Sequence, residues 1–151
     1  MSETYSKKHI KSTITAGSVY YYREDSFNSP DPHYFIVINL DPLSDMVIFL
    51  VCASSQIDSR RRLRKDYPNE TLVEITPSQY TEFSKRSIID CNVVFEKSVD
   101  EIASKLSQRK LEIKPVMGLR LVKMLRQGAI LSPLVENYIK KALQHTKPEG
   151  T

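Results

Sequence analysis

The sequence is poor in the features that announce the commonest chemistries. Its 4 glycines do not gather into the loop whose backbone amides cradle a phosphate, which excludes a nucleotide site of that kind. The 2 cysteines, Cys52 and Cys91, have no CxxC spacing and sit in apolar, strand-like surroundings. They read as reduced, buried thiols of a cytoplasmic protein, not as a disulfide framework. His9, His33 and His145 are far apart in the chain and form no Cys/His metal pattern, so neither metal nor cofactor is expected. The longest apolar run, Met46 to Ala53, falls far below the roughly 20 residues of a membrane helix. Met1 to Lys11 is polar, and no signal peptide is expected there.

What is present describes one domain. The 151 residues are 40% hydrophobic and 26% charged, an ordinary balance for a single core. A net charge of +4 permits nucleic acid as a partner without demanding it. There is no internal repeat and no low-complexity segment. Residues 1–15 carry Lys, Ser and Thr with little apolar content and are predicted to form a flexible arm. Residues 16–146 form the domain, and 147–151 a tail.

Two apolar runs dominate. His33-Tyr34-Phe35-Ile36-Val37-Ile38-Asn39-Leu40 and Met46-Val47-Ile48-Phe49-Leu50-Val51-Cys52-Ala53 are each strand-length and rich in β-branched and aromatic types. The Asp41-Pro42-Leu43-Ser44-Asp45 break supplies turn chemistry, so the pair reads as an antiparallel hairpin. Neither run has a polar face, which places both where they are covered on two sides. Antiparallel pairing also brings His33 beside Ser54-Ser55-Gln56 at one rim.

Around the hairpin the chain reads as follows. Gly17 precedes a short aromatic strand, Ser18-Val19-Tyr20-Tyr21-Tyr22. Arg23 to Pro32 is a loop bordering the rim. Asp58 to Asp66, with Arg60, Arg61, Arg62, Arg64 and Lys65, reads either as a solvated, self-repelling loop or as a phosphate-contacting one. Glu70 to Ile75 alternates like a half-exposed strand. Thr76-Pro77-Ser78-Gln79 has capping-box chemistry for a short helix to Phe83, and Ser98-Val99-Asp100-Glu101 repeats it for a helix carrying Ile102 and Leu106. Ser87 to Phe95 reads as a strand, and Leu111-Glu112-Ile113 as another. Two C-terminal helices follow, the first stopped at Gly128 and the second opened by Ser132-Pro133. Strands followed by helices make an α+β design.

This order of elements resembles the MazF/PemK toxins of type II toxin–antitoxin pairs, small SH3-like β-barrels that cleave RNA without a metal. The resemblance spans roughly Gly17 to Leu143. His33-Tyr34-Phe35-Ile36-Val37 takes the place of the family's Arg-Pro strand, and Val51-Cys52-Ala53-Ser54-Ser55-Gln56 that of the strand ending in a Thr pair. Ser87 to Asn92 is similar to the strand before the small helix, and Leu121 to Leu143 to a C-terminal helical pair. The resemblance implies an SH3-like barrel (CcdB/MazF/PemK-like), a single-strand endoribonuclease, a cognate antitoxin and a homodimer.

The residues can be assigned roles on that basis. His33 would move protons, Ser54 and Ser55 would hold phosphate oxygens, and Gln56, Arg60, Arg61, Arg62, Arg64 and Tyr34 would bind RNA. The plainer alternatives are a rim histidine, turn serines and core tyrosines. Cys52 paired with a histidine as nucleophile fares worse, being mid-strand. The rival function is a non-catalytic module on the same barrel that contacts nucleic acid or protein through Arg60–Lys65. A third is a toxin that acts on a protein such as gyrase and needs no catalytic residue. The absent Arg-Pro pair favours the rival, and the hydroxyl pair with the basic run favours the enzyme.

Overall fold

The computed structural model describes residues 2–144, so the predicted tail and His145 lie outside the described residues. Seven strands form one antiparallel sheet: β1 (Val19–Tyr22), β2 (His33–Val37), β3 (Ile48–Ser54), β4 (Leu72–Ile75), β5 (Ser87–Asp90), β6 (Phe95–Lys97) and β7 (Leu111–Lys114). Their order is β4-β5-β3-β2-β1-β7, with β6 also on β3. Among the described residues no pairing joins β4 to β7, so the sheet is open and the architecture is α+β. The helices are α1 (Glu3–Thr13), α2 (Pro42–Asp45), α3 (Ile57–Leu63), α4 (Val99–Ser107), α5 (Leu119–Leu131) and α6 (Asn137–Gln144). None of the described helices is long and apolar enough to cross a membrane.

The predicted hairpin is the middle of the sheet. Phe35 pairs with Cys52 and Val37 with Leu50, and α2 with its Asp41 cap fills the break. Because both strands are apolar on both faces, each face carries a core. Ile36, Phe49, Val51 and Ala53 enter one core with α5 and α6, and Phe35, Val37, Ile48 and Leu50 enter the other with Tyr20, Tyr22 and Ile102. The outer side of β3 is shared, with β6 on Ile48–Leu50 and β5 on Ala53–Ser54. One long strand thus serves both halves of the sheet.

Several local expectations are corrected. Of the expected flexible arm over residues 1–15, the described part, from Ser2 on, is ordered as a helix. Ser2 caps α1, whose Ser6 and Ile10 are fully buried at helical spacing. An isolated helix of this length is marginal in water, and burying Ile10 supplies roughly 2 kcal/mol. A stripe of one small polar residue and one Ile is too thin to read as amphipathic.

The basic run 58–66 is not all loop, since α3 occupies its first half. Thr76–Gln79 keeps half of its capping box, with the Thr76 amide donating to Gln79 Oε1 at 2.8 Å, yet closes only turns. Ser87–Phe95 breaks at Cys91-Asn92 into β5 and β6. The capping box at Ser98 and Glu101 is complete.

Gly128 does not stop α5, which runs through it to Leu131. A Cβ there would stand 2.6 Å from the Glu70 carbonyl oxygen and 3.0 Å from Cys91 Sγ. The glycine lets the helix lie directly on backbone. Gly128→Ala is therefore expected to destabilise the fold by about 1–3 kcal/mol through overpacking, read as a lower urea midpoint with unchanged slope.

Candidate functional site

The end of the β2–β3 pair opens into a cavity of about 450 Å³, reached by His33, Ser54, Arg60 and Asp90 and walled by Phe27 and Phe95. Alternation explains which side chains arrive. His33 lies on the Phe35 face of β2, and Ser54 on the Leu50–Cys52 face of β3. Continuing the Phe35–Cys52 register outward by two residues sets His33 level with Ser54. The β2–β3 pairing itself stops at Phe35 and Cys52, and His33 and Ser54, two residues beyond it, both line the cavity. Phe27 meets the His33 ring edge-on at 5.2 Å, and the His33 Nδ1 atom is buried without a hydrogen-bond partner.

The predicted cluster divides here. Ser54 lines the cavity, whereas Ser55 and Gln56 turn to a separate groove with Arg61 and Arg62. Tyr34 belongs to neither. It lies on the opposite face of β2, packs between Tyr21 and Phe83, and donates its hydroxyl to the Glu82 carbonyl at 3.2 Å. Its assignment to RNA binding is replaced by a packing role. Tyr20 and Tyr22 are core residues.

Arg64 is likewise not free for RNA. Its side chain is 12% exposed, with Nε donating to Asp90 Oδ2 at 2.9 Å. Arg60, one helical turn earlier on the same side, stands 3.8 Å from that oxygen and is 40% exposed.

Asp90 is the residue that sequence reading missed. Its other oxygen accepts from the Asn92 amide at 3.1 Å and from Asn92 Nδ2 at 2.8 Å. Asn92 Nδ2 also donates to Thr71 Oγ1, and Asn92 Oδ1 accepts from Ser132 Oγ at 2.6 Å. This buried network joins the cavity wall to the α5–α6 junction. Four arginines within five residues were a signal for a buried carboxylate, but nothing local said which one.

The loop before β2 is held by Glu24. Its buried carboxylate accepts from Ser26 Oγ at 2.8 Å and pairs with Lys97 at 2.8 Å. Burial disfavours its charge, but Lys97 and Ser26 outweigh that and hold the carboxyl below the ordinary range. Cys52 also lines the cavity, and burial pushes its thiol up to about 12. At neutral pH it holds its proton, which makes it a poor nucleophile. Among the described residues no three His, Cys, Asp or Glu side chains gather as metal ligands would.

Two outcomes follow. Asp90→Ala leaves Arg64 buried without its partner and should cost roughly 3 kcal/mol in chemical denaturation, more than Arg60→Ala. Because the folded carboxyl of Glu24 lies below its unfolded value, its contribution is present above about pH 4 and is lost as pH falls through the folded value. Thermal melts should therefore show the wild type losing its advantage over Glu24→Gln below that pH. No protein-family model matches the chain, and the search of curated proteins finds no match to it.

Proposed function

We propose that the His33–Ser54–Arg60 cavity is the phosphodiester site of a metal-independent endoribonuclease acting on single-stranded RNA. The observation that carries the reading is that a proton-transfer group, a hydroxyl and a guanidinium reach one cavity walled by two phenylalanines. Each part has a task. In cleavage by internal attack, the 2′-hydroxyl loses its proton and the 2′-oxygen bonds to phosphorus. The P–O5′ bond then breaks, and the leaving oxygen takes a proton. His33 exchanges those protons, Arg60 neutralises the charge on the non-bridging oxygens, and Ser54 donates to one of them. Phe27 and Phe95 offer faces on which a splayed base stacks.

The resemblance to MazF/PemK toxins supports the same reading. The long β3 shared between both halves of the sheet fits an SH3-like barrel that is splayed open. A cytoplasmic toxin with a cognate antitoxin and a homodimeric form belongs to this proposal and rests on the resemblance alone. The second reading, a binding module that does not cleave, is favoured by the proximity of Arg60 to Asp90, which already offsets part of its charge.

Incubation of a long RNA with the protein in EDTA decides between them. Cleavage predicts discrete fragments ending in 2′,3′-cyclic phosphate, with His33→Ala slowing their appearance by about 10²–10⁴-fold. RNA that stays intact but shifts on a gel, less so as salt rises, would overturn the enzyme and leave the module.

A further inference from the structure

The groove beyond the cavity has a composition of its own. It measures about 660 Å³ and is lined by Ser55, Gln56, Arg61, Arg62, Arg86 and Glu74 among others. Arg86 comes from just before β5, far along the chain from the basic run. Its guanidinium lies 2.7 Å from Glu74 Oε2, and Arg61 lies 3.8 Å from the same oxygen. Asp58 also lines the groove, so two carboxylates face three arginines and the local balance stays positive by one charge. Arg61 and Arg86 are half-exposed or more, at 50% and 63%, whereas Glu74 is 26% exposed. The cations face solvent, and their counterion sits behind them.

The groove adjoins the cavity through a single step of chain. Ser54 and Ser55 are consecutive, with Cα atoms about 3.8 Å apart. The first hydroxyl residue serves the cavity and the second serves the groove. α3 divides its arginines in the same way, Arg60 to the cavity and Arg61 and Arg62 to the groove.

We propose that this groove is a second phosphate subsite for the same RNA strand, with Arg86 and Arg61 as its ligands and Glu74 as the internal anion that the phosphate displaces. The inference rests on the reading of the cavity as an RNA site. Guanidinium forks suit phosphate oxygens as they suit a carboxylate. The substrate it implies is a segment longer than a dinucleotide, with its neighbouring phosphate seated at Arg86.

The test uses the full chain and uncleavable 2′-O-methyl RNA, as an octamer and as a dinucleotide, with binding followed by fluorescence anisotropy. The wild type should bind the octamer more tightly. Arg86→Ala should weaken the octamer roughly tenfold, lower its salt slope by about 0.7, and leave the dinucleotide unchanged. Glu74→Gln removes the competing anion and should tighten the octamer, whereas arginines present only to neutralise Glu74 would give no gain. Equal affinity for the two lengths, or an octamer indifferent to Arg86→Ala, overturns the subsite while leaving the cavity as an RNA site. Failure of both lengths to bind overturns the cavity reading together with the subsite.

Discussion

The β2–β3 pair is apolar on both faces, and that constraint shapes the rest of the molecule. A strand pair with no polar side must be covered twice, so the chain supplies helices α5 and α6 to one face and packs α1 and α4 against the other. The covering is complete along the middle of the pair and stops at its end, where His33 and Ser54 stand. The cavity opens where the two strands part: the β2–β3 ladder ends at Phe35 and Cys52, and beyond it His33 stays with β1 and Ser54 with β5. Its walls are the last aromatic side chains of the second core, Phe27 and Phe95.

A second constraint is electrostatic. Asp90 is almost wholly buried, and a carboxylate so placed is tolerated only when its oxygens are occupied by donors. Arg64 and Asn92 occupy them, and through Asn92 the same network reaches Thr71 and Ser132. The cavity wall is thereby tied to the α5–α6 junction. The division of labour among the arginines follows: Arg64 is committed to the fold, Arg60 stands between fold and solvent, and Arg61 and Arg62 are left outward.

For function, that division narrows what a basic run implies. Five basic residues within six positions suggest a diffuse electrostatic footprint. The folded arrangement separates one cation at a cavity with a histidine and a hydroxyl from a cluster of cations around Glu74. The proposed RNA site would use both basins, the aromatic walls for bases and the arginines for phosphates.

The unbroken apolar runs, the Asp41-Pro42 break and the Ser98–Glu101 capping box are local signals, and they alone determined the central hairpin and the start of α4. Pairing geometry is that short-ranged. Tertiary structure decided the rest, wherever a residue's role depends on a partner distant in sequence. Gly128 continues a helix because the Glu70 backbone lies against it, and Ile10 orders α1 because a second core receives it. Arg64 and Tyr34 leave the site because Asp90 and the Glu82 carbonyl claim them. Arg86 joins Arg61 only because β4 sets Glu74 between them. Charge and polarity are written in single residues, but whether a charge faces solvent or a buried counterion is a property of the packed chain.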